Sequence, residues 1–346
     1  MKRYFWKKMR VKNIGDNLSI LSTRTPYWKP FLLILPSFLT ILLFTLIPFI
    51  LVIYKSFLDR GTGFYIDEAK LSTANYVNIF KDYGFQTGIR NSIVYAIIAL
   101  PISLTCSLLI AIAITQVVKK WARSFWQTVF FLPYVTSMVA VSISFIYIFR
   151  REGGIINTLL QKLGLIKKPL LFLQDTSDWN WSAFGVIVFR GVWGNLAFQV
   201  LILTTAMLSV DQNLYRAGSI DGAYKAKQFF AITLPSIKPT LSFLITIGII
   251  GGIKIFPLAL FDNSPETAVA HGGSSIMLYI YSMVRGGEYG RSGAASVILF
   301  VLGVTISFGL RKLVTLAYKA STKIGALNVT RKIETQTLKS KTTFKV

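Results

Sequence analysis

Six long apolar runs constrain this chain more than any other feature: Phe31–Ile53, Ile89–Val117, Phe125–Ile148, Ala183–Met207, Thr240–Phe261 and Ala294–Leu316. Each holds 22 to 29 residues. At about 1.5 Å per residue, a helix of that length crosses a hydrocarbon core of roughly 30 Å. Lipid offers no partners for backbone amides, so a spanning run must close its hydrogen bonds internally as a helix. A transmembrane barrel would show short alternating segments, and none occurs. The expected fold is therefore all-α, a polytopic membrane protein with six transmembrane helices. Pro36, Pro48, Pro101, Pro133 and Pro257 lie within the runs and predict kinks.

Composition agrees. Only 15% of the 346 residues are charged, against about a quarter in soluble domains. The excess of Lys and Arg, 38 against 14 acidic residues, flanks apolar runs rather than clustering on soluble elements. That pattern excludes nucleic acid as the partner. A single cysteine, Cys106, and a single histidine, His271, rule out an internal disulfide framework, a structural zinc site and a Cys/His nucleophilic pair. Cys106 reads as packing and His271 as a loop residue.

The basic residues set the orientation. The side shared by the two termini carries 24 of the 38, the opposite side 12, and Arg190 and Lys254 lie within runs. Ten of the 14 acidic residues fall on the opposite side. The positive-inside rule then places both termini in the cytoplasm. The opening 30 residues are polar and basic, and the run after them is too long for a signal-peptide core, so an uncleaved first anchor is expected. The divisions that follow are a basic cytoplasmic tail (1–30), a first helix (31–53), an outer loop (54–88), a five-helix core (89–316) and a second basic tail (317–346). The last tail is predicted to be disordered. Within the outer Phe149–Ser182 segment, Ile155, Ile156, Leu159, Leu160 and Leu163 share a face at helical spacing, which suggests a short helix in the outer interface.

The longest inner connection, Leu208–Pro239, joins the fourth and fifth runs. Ser209 and Gln212 fit a capping box opening a helix near Val210 or Asp211. Leu214, Ala217, Ile220 or Asp221, and Tyr224 recur at helical spacing. Gly222 breaks that helix or gives it a point of close approach, and Pro235 and Pro239 lead into the fifth run.

This loop resembles the EAA loop of type I ABC importer permeases of the carbohydrate-uptake kind. That motif runs roughly Glu-Ala-Ala, two residues, Asp-Gly-Ala, then an aromatic residue and Ile-x-Leu-Pro. Here Ala217 takes the first alanine, Asp221-Gly222-Ala223 the Asp-Gly-Ala, Phe229 the aromatic, and Ile232-Thr-Leu234-Pro235 the ending. Arg216 stands where the family prefers glutamate, reversing the charge, and Gly218 stands for the second alanine. Weaker likenesses to the same family are Asn75–Phe80, Phe131-Leu-Pro133, Gly153–Asn157, Gly272–Tyr281, Tyr289-Gly290 and Gly293-Ala-Ala295. The resemblance implies a MetI-like core whose loop docks as coupling helices on a separate ATPase. It further implies a second homologous permease, an ABC ATPase dimer and an extracellular solute-binding protein as partners. The location implied is the bacterial cytoplasmic membrane.

Polar groups in lipid-embedded runs point to function. Asn195 and Gln199, four apart, share a helical face near Trp193. Amides with aromatic faces suit sugars, so Asn195, Gln199, Lys254 and Phe256 are expected along the translocation path. Interhelical hydrogen bonding and snorkelling account for the same residues equally well. Gly248, Gly251 and Gly252 are spaced for close helix approach. An ion-coupled secondary transporter of a small solute is the alternative. Proton coupling calls for titratable groups in the spans, and all six runs lack Asp, Glu and His, although backbone carbonyls leave sodium open. No nucleophile elbow, metal cluster or phosphate-cradling Gly-x-x-x-x-Gly-Lys-Ser/Thr is present, so neither catalysis nor a bound cofactor is expected of this chain.

Overall fold

The computed structural model describes residues 28–58, 70–117, 119–175 and 181–309, together with 312 and 316. Expectations for the N-terminal tail before Trp28 and for the C-terminal tail lie outside the described residues. The chain divides into two units, Met1–Tyr54 and Lys55–Val346.

In the first unit, helix α1 (Trp28–Ile41) passes through a π-helical turn (Leu42–Leu46) into α2 (Ile47–Ser56). The wider turn falls where Pro48 approaches the carbonyl four residues back, that of Phe44, a contact an ordinary α-turn makes too tight. Apolar side chains are exposed along its length, with Leu33 at 81% and Phe44 at 77%. Such a surface is at home in hydrocarbon rather than in water.

The second unit is built on α4. A short helix α3 (Ala74–Lys81) leads into α4 (Tyr83–Ile112), capped by the Asp82 carboxylate on the Gly84 amide and prolonged by a π-helical turn (Ala113–Val117). Next come α5 (Lys120–Val135), α6 (Met138–Ile148), the short α7 (Ile155–Lys162) and α8 (Trp181–Leu208). The connection between α8 and the next long helix holds α9 (Gln212–Ile220), α10 (Lys225–Gln228), a π-helical turn (Phe229–Thr233) and α11 (Leu234–Ser236). Finally α12 (Lys238–Ile253), a 3₁₀ turn (Leu258–Leu260), α13 (Pro265–Ala270), α14 (Ile276–Arg285) and α15 (Tyr289–Gly309) complete the unit. No β-strand forms among the described residues, apart from the isolated bridge Leu58–Leu71. Among the described residues, four helices are long and apolar enough to cross a membrane, or up to six if each bent pair counts as one span.

Two expected spans are reshaped. The Phe125–Ile148 run is broken into α5 and α6, inclined at 92°. Thr136 and Ser137 are extended between them, and Thr136 Oγ1 donates back to the Pro133 carbonyl at 2.9 Å. The Thr240–Phe261 run is helical only to Ile253. Pro257 explains the stop, because its ring would meet the carbonyl of Ile253, four residues earlier. The residues that follow form the 3₁₀ turn, with Phe261 buried.

Three apolar clusters hold the helices together. One joins α4, α6 and α8 around Tyr95, Phe145 and Ile187; a second joins α4, α12, α14 and α15 around Phe85, Ile249 and Tyr279. The third, around Ala111, Leu203, Met207 and Leu244, sits where the C-terminal ends of α4 and α8 meet the first half of α12 and takes in Tyr215, Phe229 and Ile232 of the 208–239 connection. The expected close approach is made by two of the three glycines. A methyl at Gly248 would run into Leu100, and one at Gly252 would lie 3.1 Å from the Ala96 backbone. Gly251 faces open space, correcting that expectation.

Candidate coupling loop and translocation path

The helix predicted between the fourth and fifth runs is present, but its cap differs. Asp211 caps α9, its carboxylate accepting from the Asn213 amide at 2.9 Å. Ser209 turns back to the Ala206 carbonyl at 2.8 Å, so the Ser209–Gln212 capping box does not form. A carboxylate at a helix N-terminus is favoured by the charge on the amide, which is why it wins. At the far end, Gly222 has φ +70°. The Ala223 amide donates to the Gly218 carbonyl at 2.8 Å and the Gly222 amide to Ser219 at 3.1 Å. This is a Schellman closure, and it needs a residue that tolerates the left-handed region at position 222.

The two limbs of the loop are tied to each other. Gln228 Nε2 donates to Ser219 Oγ at 2.9 Å and to the Ala223 carbonyl at 3.0 Å, while Tyr215 and Thr233 share a hydroxyl bond of 2.8 Å. A methyl at Gly218 would meet the Ile232 terminal carbon at 3.2 Å, so glycine permits the limbs to close up. Phe229 packs edge-on against Phe230 at 5.2 Å and contributes to the cluster around Ala111, Leu203 and Leu244. Leu234 is half-buried and Pro235 exposed. The outer surface of α9 carries exposed Arg216, Ala217 and Asp221. Ile220 and Tyr224 are 87% and 70% exposed, so a firmly braced helix presents an uncovered apolar edge.

The four residues expected along the path are not brought together as a group. Gln199 is buried: it accepts from Ser107 Oγ at 2.9 Å and donates to Ser103 Oγ at 3.2 Å, bridging α8 to α4. Asn195, one turn earlier, is exposed, and Trp193 beside it packs on Phe145 at 6.1 Å. Lys254 is exposed at the C-cap of α12, where a cation suits the helix end. Phe256 lies beyond that helix, edge-on to Tyr281 at 5.4 Å. Arg190 reaches the Met138 carbonyl at 3.4 Å, at the first turn of α6.

Several polar anchors escaped the sequence reading. Buried Asn91 on α4 donates to the carbonyls of Gly272 and Ser274, each at 2.8 Å. Ser92 accepts from the Ile276 amide, and Ser274 donates to the Gly84 carbonyl. Together they satisfy a non-helical stretch ahead of α14. Tyr279 donates to Asp82 at 3.0 Å beside a cavity of ≈ 610 Å³ that also borders Glu266, Val269 and Met283. Burial pushes the Tyr279 phenol up, and the Asp82 charge adds to the rise. Their only sequence signal was small polar residues interrupting apolar runs.

Comparisons with known proteins agree with this architecture. The profile of the family described as binding-protein-dependent transport system inner membrane component matches residues 103–315. A probable ABC transporter permease protein of Mycoplasma genitalium is 48% identical over 294 residues, covering 85% of this chain and 88% of that protein. The sn-glycerol-3-phosphate transport system permease protein UgpA of Yersinia pseudotuberculosis is 26% identical over 288 residues, 81% of this chain and 92% of the relative. Among solved structures, a chain of a bacterial alginate ABC transporter, in complex with an alginate pentasaccharide-bound periplasmic protein, superposes with a TM-score of 0.68. It is 22% identical and the match covers 81% of this chain and 92% of that one, a likeness of fold.

Proposed function

The chain belongs to the family of binding-protein-dependent transport system inner membrane components, and on that premise we propose that it imports a sugar, oligosaccharide or sugar phosphate. It does so as a six-span permease in a bacterial cytoplasmic membrane, with both termini in the cytoplasm. The substrate class rests on relatives named for glycerol phosphate and on a neighbour bound to an alginate-loaded periplasmic protein. The six spans are the first-unit helix, α4, the α5–α6 pair, α8, α12 and α15. The partners are a second homologous permease, an ABC ATPase dimer below the inner loop, and an extracellular solute-binding protein above. ATP is hydrolysed by the ATPase dimer, since this sequence has no phosphate-cradling loop.

The observation that carries this reading is the braced, exposed α9. Burying a large apolar side chain contributes about 1.5–3 kcal/mol, so Ile220 and Tyr224 together supply a substantial docking energy if covered by a partner. Because Gln228 and the Tyr215–Thr233 bond lock the limbs, a push on Arg216, Ala217, Asp221 or Gly222 is delivered to the inner ends of α8 and α12. Those two helices enclose the path, to which we assign Asn195, Lys254 and Phe256. Gln199 fits helix bridging better. An ion-coupled carrier would give α9 no motor to meet.

The test is disulfide trapping in the assembled complex. Ala217→Cys and Gly222→Cys should each capture the ATPase polypeptide, with the yield changing on ATP binding. Uptake that continues with the ATPase subunit deleted, or trapping that yields no nucleotide-binding polypeptide, would refute the assignment.

A further inference from the structure

Helix α7 is amphipathic the wrong way round for a water-facing element. Its buried residue is polar: Asn157 is 1% exposed and donates to the carbonyls of Arg150 at 3.1 Å, Arg151 at 3.2 Å and Leu170 at 3.0 Å. The Leu170 amide returns the contact to Asn157 Oδ1 at 2.9 Å. Its apolar stripe points outward, with Ile155 65%, Leu159 51% and Leu163 62% exposed. At about 100° per residue, that stripe is centred about 160° from Asn157, on the side directed away from the protein. Leu165, 68% exposed just past the Gly164 turn, extends it.

We infer that this face lies on the bilayer, with α7 seated among anionic headgroups on the side of the membrane opposite the α9 loop. The placement rests on the six-span reading above; the contact itself rests on the stripe. Three observations select lipid as the occupant. The helix starts soon after α6, whose last turns already expose Ile143 and Tyr147, and the chain returns to a span at Trp181, itself 60% exposed. Exposed Arg150, Arg151, Lys162, Lys167 and Lys168 flank the stripe along the chain, against Glu152 and Asp175 among the described residues. Such a cluster runs against the orientation rule for a non-cytoplasmic loop, and anionic headgroups supply the countercharge. Asn157 also fixes the helix through backbone carbonyls and one backbone amide, which leaves the Ile155, Leu159 and Leu163 stripe free to enter the interface.

The experiment uses the full complex in vesicles, with Cys106→Ala and a single fluorophore on Leu159→Cys, Leu163→Cys or Gln161→Cys. Brominated lipid should quench the first two strongly and spare the third, which aqueous iodide should quench instead. Adding phosphatidylglycerol to phosphatidylcholine should deepen the lipid quenching, and replacing Lys162, Lys167 and Lys168 by Gln should abolish that response. Each cation near an anionic surface is worth about a fivefold preference. Equal iodide quenching at 159 and 161 overturns the proposal, as does a Leu159 site shielded from both quenchers until a partner subunit is removed. Quenching that ignores headgroup charge overturns the anionic selectivity. An impermeant thiol reagent on Gln161→Cys in intact cells reports sidedness separately, so a topological failure is told apart from failed lipid contact.

Discussion

Replacing Gln199 by Leu decides what a buried amide is doing inside a span. The side chain accepts from Ser107 at 2.9 Å and donates to Ser103 at 3.2 Å. Interhelical hydrogen bonds in membranes average about 0.6 kcal/mol in double-mutant cycles and reach about 1.7 kcal/mol. Leucine keeps the apolar stem, so losing both bonds should destabilise the chain by about 1.2 kcal/mol. The serines limit the damage, because Ser103 Oγ already donates to the Leu100 carbonyl at 3.1 Å. Detergent-driven unfolding of the full chain in mixed micelles reads the change. A cycle of Gln199→Leu with Ser107→Ala should return a coupling near 0.6 kcal/mol, with the substrate preference of uptake unaltered. Zero coupling and undiminished stability, accompanied by loss of uptake, would refute the bridging role and make Gln199 a substrate contact.

Other perturbations follow from single contacts. Gly222→Ala forces a side chain into the left-handed region and should cost about 1–2 kcal/mol locally; amide exchange at Ala223 should quicken, and Gly222→Asn should recover part of it. Asn157→Ala strips partners from three carbonyls and an amide, so the 150–170 segment should become a protease target, with a loss of about 1–3 kcal/mol per group left dry. Tyr279 titrates above its ordinary value of 10.0 because of burial and then Asp82. A raised value means that its contribution is complete below the ordinary tyrosine range and fades only as pH climbs beyond it. Thermal melts should therefore be flat in this respect from neutrality to mild alkali, and Tyr279→Phe should remove the alkaline decline.

Hydropathy located the apolar helices because side-chain transfer is summed over twenty or so residues, and no single contact alters the total. It could not locate the turn at Thr136–Ser137 or the end of α12 at Lys254, because one or two polar residues hardly change an average taken over about twenty. Pro257 carried the information about Ile253 through backbone sterics alone. In the 208–239 loop, the phrase Asp221-Gly222-Ala223 encoded its turn locally, and the helix ends there. The cap did not, since Ser209 and Asp211 compete for neighbouring amides and the sequence holds no measure of which prevails. Of the path residues, Gln199 and Asn195 shared a face by spacing, yet one is covered by α4 and the other is open. Which neighbour covers a helix face is a tertiary fact.

The amide of Asn91 has a consequence for how the protein is made. Its carbonyl acceptor on Gly272 lies 181 positions downstream, so a ribosome delivers α4 to the membrane long before that partner exists. A buried amide without a partner is costly, so this side chain is satisfied by the fold only after the last third of the chain arrives. The 272–276 segment therefore closes against α4 only once the last third of the chain is present, and a product truncated before Gly272 leaves the Asn91 amide without these acceptors.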